Sequence, residues 1–182
     1  SDPERSASAP ARPTAQQLLA RVGSVVQREA DVVESQLRRN DVEILRGEAS
    51  FRDPHTIAVD RGAKGVRTVT AEHVVVAVGT RPSPPPGAPG DGEVVITSDG
   101  VPALGRLPRA MAVVGGGVIG MEYASMFATL GVAVTLVEKR EQPLEFLDRE
   151  IVEELLHQMR GRNVTFRLGE AVERLEVTDG KP

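Results

Sequence analysis

Apolar side chains recur every three or four residues between Thr14 and Asn40, which is the spacing of one face of an α-helix. Thr14 and Gln17 have the spacing of a capping box, in which each side chain satisfies a free amide of the first turn. Asn40 provides a stop at the other end. We predict a helix of about 25 residues with one buried stripe. The residues of that stripe are Leu18, Val22, Val25, Val26, Val33 and Leu37.

Short apolar segments separated by turn residues follow the helix, and their spacing predicts an antiparallel meander. The predicted strands are residues 42–45, 49–51, 56–59, 66–70 and 73–78. The last strand is apolar at every position from Val74 to Val78. We therefore expect it to be buried in a sheet that is covered on both faces.

The pattern changes after residues 81–92, where five prolines and three glycines predict a linker. Beyond it, predicted strands alternate with predicted helices, an order typical of a parallel sheet with right-handed crossovers. The predicted strands are 111–114, 132–138, 164–168 and 172–177, and the predicted helices are 118–130 and 148–160. Residues 1–13 are rich in Ser, Ala, Pro and Arg, and we expect them to be disordered. The alternation of strands and helices beyond the linker predicts an α/β fold class.

Composition narrows the function classes. The chain has 182 residues, a formal net charge of −4, no Trp and one Tyr. Because nucleic-acid binding needs a cationic footprint, we expect no nucleic-acid partner. The apolar runs are too short to cross a bilayer and the first residues lack a signal-peptide pattern, so we expect no membrane association and a cytoplasmic location. There is no Cys, and the three His are scattered without ligand spacing, so we predict no disulfide and no metal site.

A glycine-rich turn carries the clearest chemistry in the chain. The predicted strand at 111–114 runs directly into residues 115–120, which match G-x-G-x-x-G at Gly115, Gly117 and Gly120. In a dinucleotide-binding unit the first glycine allows a tight turn, the second lets the backbone approach a pyrophosphate, and the third lets the helix pack on the sheet. The N-terminal amides of that helix then point towards the phosphates.

Glu138 lies 18 residues beyond Gly120, at the end of the next predicted strand. A carboxylate there can accept hydrogen bonds from both hydroxyls of an adenosine ribose, and it repels a 2′-phosphate, which favours NAD over NADP. Lys139 and Arg140 follow directly and can each meet a 2′-phosphate, so the preference stays open. The alternative is a glycine turn of an unrelated α/β protein with Glu138 simply solvated. Glu122, near the helix N-terminus, is explained equally well by the helix dipole.

These residues resemble the pyridine nucleotide–disulfide oxidoreductases at residues 113–127, 134–140 and 144–148. Within that family, the run Glu122-Tyr-Ala-Ser-Met-Phe and the pattern Leu144-x-Phe-x-Asp are most similar to the soluble, flavin-dependent pyridine nucleotide transhydrogenases. Dihydrolipoyl dehydrogenases and glutathione reductases share the looser pattern. Upstream, residues 73–82 are similar to the family segment that passes under FAD, although Val78 stands where Thr is usual.

The resemblance implies FAD, NAD and NADP as cofactors and hydride transfer between NAD(H) and NADP(H) through FAD. It implies a partial FAD-binding segment at 14–107 and a Rossmann-like NAD(P)-binding β-α-β domain at 108–182, truncated at its C-terminus. The intact parent is expected to be a homo-oligomer, and the isolated chain is expected to be inactive. The alternatives are a dihydrolipoyl dehydrogenase-like disulfide reductase and a non-catalytic NAD-binding module.

The resemblance also implies the site residues. The FAD contacts are Ala49, Val78, Gly79 and Thr80. The NAD(P) contacts are Gly115, Gly116, Gly117, Val118, Ile119, Gly120, Glu122, Glu138, Lys139 and Val172. Glu122 matches a family glutamate near the flavin and the nicotinamide, and it is the only candidate for a catalytic role.

Overall fold

The computed structural model of the protein describes residues 14–83 and 92–177. Two compact units can be distinguished, one formed by Arg21–Arg81 and the other by the described residues outside that range. Three predictions fall outside the described residues. They are the disorder at 1–13, residues 84–91 of the linker, and the last five residues of the NAD(P) domain.

The predicted long helix is confirmed as α1 (Ala15–Arg39), which has 25 residues. Its capping box is formed as predicted: the Thr14 amide donates to Gln17 Oε1 at 2.9 Å, and the Gln17 amide donates to Thr14 Oγ1 at 3.2 Å. At the other end, the Asn40 side-chain amide donates to the Gln36 carbonyl at 2.8 Å.

None of the helices within residues 14–83 and 92–177 has the length and the hydrophobicity that a membrane span requires.

The predicted buried stripe on α1 is wrong. Val22, Val25, Val26 and Val33 are between 48% and 62% exposed, and only Leu18 and Leu37 are half-buried. Helical spacing gathers apolar side chains on one face, but such a face is buried only where another element covers it. Among the described residues, these four valines remain open to solvent.

Three of the five predicted meander strands are confirmed and form an antiparallel sheet in the order β1-β2-β3. They are β1 (Glu48–Asp53), β2 (Thr56–Asp60) and β3 (Val66–Thr70). The register pairs Ala49 with Val59, and the central strand buries Ala58 and Val59.

The predicted strands at 42–45 and 73–78 are wrong, since both segments lack regular structure. The second was expected to be the most buried of all, yet Val75 and Val78 are each 87% exposed. A strand forms only when its backbone amides and carbonyls pair with those of a neighbour. In the described ranges neither segment has such a neighbour, so apolar composition alone does not make it a strand.

The other unit is the predicted β-α-β unit with a parallel sheet. It contains β4 (Ala110–Val114), α2 (Val118–Thr129), β5 (Ala133–Glu138), α3 (Arg149–Arg160) and β6 (Val164–Leu168). β5 is the central strand and pairs in parallel with both β4 and β6. The predicted strand at 172–177 is wrong, because this segment has no regular structure. Asp148 occupies the N-cap position of α3, but its side chain makes no capping hydrogen bond.

The core of this unit lies between the two helices and β5. Leu136, in the middle of β5, and Ala124, in the middle of α2, are both fully buried. The helices add further buried side chains to the same cluster: Met121, Phe127, Ala128, Val152, Leu156 and Met159. This packing holds the ends of β4 and β5 in place, and those ends form the candidate site.

Candidate functional site

The carboxyl ends of β4 and β5 meet at one edge of the parallel sheet. The register pairs Val114 with Val137, and the Gly115 amide continues the ladder by donating to the Val137 carbonyl at 2.8 Å. Gly116, which follows Gly115, therefore lies beside Glu138, which follows Val137. Ligands of open α/β sheets bind outside this edge.

The three fingerprint glycines have the geometry that their predicted roles require. Gly115 has a φ of +109°, which strongly favours a residue without a Cβ, and it turns the chain out of β4. Apart from the adjoining residues, no atom of residues 14–83 and 92–177 lies within 4 Å of the position that a Cβ on Gly117 would take, so this face is open. A Cβ on Gly120 would lie 2.0 Å from the Gly115 carbonyl oxygen. Only glycine allows α2 to approach the turn this closely.

Gly116 is enclosed instead of open. A Cβ on this residue would lie 2.9 Å from Pro143 Cβ and 3.1 Å from Glu138 Cβ and Cγ. The Leu144 amide also donates to the Gly116 carbonyl at 3.3 Å. The loop after β5 thus folds back over the glycine turn. Sequence reasoning missed Pro143, because no periodicity marks a loop that returns in this way.

The N-terminus of α2 faces the open side of the turn. Gly117 is its N-cap residue, and the first intrahelical bond joins the Met121 amide to the Gly117 carbonyl at 3.0 Å. The amides of Val118, Ile119 and Gly120 precede that bond, so they have no intrahelical acceptor. These amides, together with the positive end of the helix dipole, suit a phosphate group.

Glu138 is a buried acid with a defined set of donors. Its side chain is only 6% exposed. Oε2 accepts from the Gly116 amide, and Oε1 accepts from the Arg140 amide at 3.0 Å. Burial alone raises the pKa of the Glu138 carboxyl, but the two amides and the nearby charges of Arg140 and Lys139 outweigh it, so that the pKa lies below its ordinary value. The carboxylate is therefore ionised at neutral pH.

Arg140 connects this buried acid to an exposed one. Its Nε lies 3.3 Å from Glu138 Oε1, and its Nη1 lies 3.0 Å from Glu145 Oε2. The backbone here is held by the two residues that follow β6, since the Gly169 amide donates to the Arg140 carbonyl at 3.0 Å and the Glu170 amide to the Glu138 carbonyl at 3.1 Å. Sequence reasoning missed this pairing, because no periodic pattern marks Glu145 as a partner of Arg140.

The remaining predicted NAD(P) residues are less closely connected to this arrangement. Lys139 and Glu122 are exposed, and within the described residues the Glu122 side chain makes no hydrogen bond or ion pair with the other predicted residues. Val172 is 41% exposed in a segment without regular structure. Roles for these three residues stay predictions.

The predicted FAD residues belong to the Arg21–Arg81 unit and are all exposed. Ala49 lies in β1, whereas Val78, Gly79 and Thr80 lie in the irregular segment that follows β3. Gly79 has a φ of +72°, and in the part of the chain that the structure describes no atom beyond its two neighbouring residues lies within 4 Å of the position that a Cβ would take. This backbone is open to close approach by a ligand, but Val78 supplies no hydroxyl for it.

The chain is similar to known proteins over nearly its whole length. The family described as pyridine nucleotide-disulphide oxidoreductase matches residues 3–181. The soluble pyridine nucleotide transhydrogenase of Mycobacterium bovis (strain BCG / Pasteur 1173P2) is 50% identical over 167 residues, which are 91% of this chain and 36% of that protein. The protein of the same name from Azotobacter vinelandii is 42% identical over 141 residues, which are 78% of this chain and 30% of that protein. The chain thus spans about a third of the length of these relatives.

Solved structures show the same similarity. LpdA from Mycobacterium tuberculosis superposes with a TM-score of 0.81 and 26% identity, over 92% of this chain and 38% of that one. The HOCl-induced flavoprotein disulfide reductase RclA from Escherichia coli superposes, as its Cu(II) complex, with a TM-score of 0.65 and 28% identity, over 85% of this chain and 37% of that one.

Proposed function

Because the chain belongs to the pyridine nucleotide-disulphide oxidoreductase family, we propose that the intact protein transfers hydride between NAD(H) and NADP(H) through FAD. The observation that carries the proposal is the placement of the buried Glu138 carboxylate beside Gly116, at the edge where Gly117 leaves the start of α2 open. The relatives named soluble pyridine nucleotide transhydrogenase support the choice of reaction within the family.

The proposed dinucleotide site has two parts. The pyrophosphate lies on the open face of Gly117, where the first amides of α2 donate to it and the helix dipole stabilises its charge. The adenosine ribose lies against Glu138, whose ionised carboxylate accepts from the ribose hydroxyls. Lys139 and Val172 are proposed contacts near the same end, and Glu122 is the proposed contact towards the nicotinamide.

Ala49, Val78, Gly79 and Thr80 are the proposed FAD contacts of this chain. The open backbone of Gly79 fits a cofactor that passes close by. When bound, FAD would accept hydride from one nucleotide and donate it to the other. This chain contributes the binding and the orientation of the nucleotide, and we place these residues in a partial FAD-binding segment at 14–107, followed by an NAD(P)-binding domain at 108–182.

Two further properties of the intact protein are part of the proposal. We infer a cytoplasmic location, which the word "soluble" in the names of the relatives supports. We also infer a homo-oligomer, which rests on the family resemblance alone.

The test is hydride transfer by the intact protein with its FAD bound. NADH is added without oxygen and the flavin absorbance is followed, after which thio-NADP⁺ is added. We expect bleaching by NADH, then reoxidation that yields one equivalent of reduced thio-NADP⁺. Bleaching that thio-NADP⁺ does not reverse would refute the transhydrogenase proposal. If the protein binds NADH but holds no flavin, it is a non-catalytic NAD-binding module instead.

A disulfide reductase is the second candidate, and the similarity to the flavoprotein disulfide reductase RclA favours it. The same experiment separates the two candidates. Dihydrolipoamide is offered to the oxidised protein in place of NADH, and lipoamide is offered to the reduced protein in place of thio-NADP⁺. Reduction of NAD⁺ by dihydrolipoamide and oxidation of NADH by lipoamide, with no reduction of thio-NADP⁺, would establish the second candidate.

A further inference from the structure

Arg140 is shared between two carboxylates of different character. Glu138 is buried and fixed by two backbone amides, whereas Glu145 has a side chain that is 55% exposed. The Arg140 side chain is itself 47% exposed, although its backbone is bonded on both sides, to Glu138 through the amide and to Gly169 through the carbonyl. The guanidinium can therefore change partners while the backbone beneath it stays in place.

The acceptor capacity of Glu138 limits what can bind beside Arg140. A carboxylate offers about four acceptor positions on its two oxygens. The amides of Gly116 and Arg140 use two of them, and the Arg140 guanidinium forms an ion pair with the same carboxylate, its Nε 3.3 Å from Oε1. A ribose with both hydroxyls free needs two positions. The diol therefore needs both positions that the amides leave, and a guanidinium held 3.3 Å from Oε1 competes with it for space at the carboxylate.

A 2′-phosphate poses the opposite problem at the same place. It would lie beside an ionised carboxylate, and the repulsion is relieved only if a cation comes between them. A guanidinium suits this role because it stays charged and presents donors in a planar fork that matches phosphate oxygens. Arg140 already touches Glu138, and its pairing with Glu145 is exposed and hence weak.

We propose that Arg140 is a movable specificity residue, which turns away from Glu138 for the ribose diol of NAD(H) and pairs with the 2′-phosphate of NADP(H), while Glu145 competes for it. The inference rests on the proposed function, since a transhydrogenase has to accept both nucleotides. It assigns to Glu145 a role in selectivity: the stronger its hold on Arg140, the weaker the binding of the phosphorylated nucleotide.

The test compares two probes that differ only in the 2′-phosphate, AMP and adenosine 2′,5′-bisphosphate. Their affinities for the intact, FAD-containing protein are measured by calorimetry. We expect Arg140→Gln to weaken bisphosphate binding about tenfold or more and to change AMP binding less than about twofold. Glu145→Gln should strengthen bisphosphate binding about two- to fivefold and leave AMP binding unchanged.

Two controls separate the pairing from net charge. Glu153→Gln removes the same charge from an exposed ion pair with Arg149 on α3, and we expect it to change neither affinity. Lys139→Gln removes a positive charge next to Arg140. If that variant and not Arg140→Gln loses the bisphosphate, or if Glu145→Gln weakens bisphosphate binding, the inference is wrong.

The inference and the proposed function fail in different ways. If thio-NADP⁺ reoxidises the reduced flavin but Arg140→Gln leaves the ratio of the two affinities unchanged, only the inference fails. If the variants behave as expected but thio-NADP⁺ does not reoxidise the flavin, only the proposed reaction fails. If neither AMP nor the bisphosphate binds to the wild type, the inference is refuted, and the proposed function is still decided by the thio-NADP⁺ experiment.

Discussion

Replacing Glu138 with Gln tests whether this carboxylate holds the glycine turn and the ribose together. Gln has nearly the same shape but only one acceptor oxygen, so it can accept from the Gly116 amide or from the Arg140 amide, not from both as Glu138 does. Gly116 is buried, and leaving a buried donor unsatisfied costs about 1–3 kcal/mol. We expect the free energy of unfolding to fall by about that amount.

Nucleotide binding should weaken in the same variant. The ribose loses its hydrogen bonds to a charged acceptor, a loss of about 1–3 kcal/mol, or roughly a 5- to 150-fold increase in Kd for NADH. Calorimetry with NADH and urea unfolding followed by circular dichroism measure the two effects on the intact protein. The matched control is Glu141→Gln, which removes the same charge from an exposed side chain three residues away. An unchanged Kd for Glu138→Gln, or an equal loss in both variants, would refute the assigned role.

Four further predictions follow from the geometry of the same unit. Gly117→Ala should leave the urea midpoint unchanged, because Gly117 has a φ of −74° and free space around it, but it should weaken NAD⁺ binding at least about tenfold. Gly120→Ala, in contrast, should lower the urea midpoint, because its Cβ would lie 2.0 Å from the Gly115 carbonyl oxygen, although helix propensity favours Ala by about 1 kcal/mol. An unchanged midpoint would contradict the packing. The pKa of the Glu138 carboxyl is lowered, so the group stays ionised at every pH well above its ordinary pKa. NAD⁺ affinity measured by calorimetry should therefore stay constant from about pH 8 to about pH 5.5. A loss of affinity within that range would contradict the lowered pKa, since the contribution of the carboxylate to binding disappears only as the pH falls towards that pKa. Leu136→Ala should cost about 2–5 kcal/mol in urea unfolding, since Leu136 is fully buried in the central strand, and a smaller loss would mean that the core can collapse around it.

Local signals predicted the parts of the fold that depend on local interactions. The capping box located the start of α1, because Thr14 and Gln17 bond to each other's backbone within one turn. The glycine turn after β4 and the position of Glu138 at the end of β5 were also predicted, but the hydrogen bond between Gly116 and Glu138 was not. The turn at Gly115 and the close packing at Gly120 agree with the fingerprint, whereas contact of the glycines with a nucleotide stays a prediction.

The remaining features depend on partners that a linear pattern does not contain. The segment at 73–78 and the apolar face of α1 are suited to burial, but in the described ranges nothing covers them. Pro143 and Glu145 reach the site through a loop that turns at Leu144, where φ is +51°, and such a return leaves no periodic trace. Sequence therefore located the ends of the strands but not the loop that closes over them.

The bond between the Gly116 amide and the Glu138 carboxylate has a consequence for kinetics. It fixes the glycine turn in the folded protein, so the nucleotide that we propose to bind here meets a preorganised surface and no loop has to become ordered on arrival. Association should then proceed at a rate that differs little among variants of the ribose end, and their affinities should differ mainly in residence time. A shorter residence time at this edge would let one nucleotide leave quickly and the other take its place.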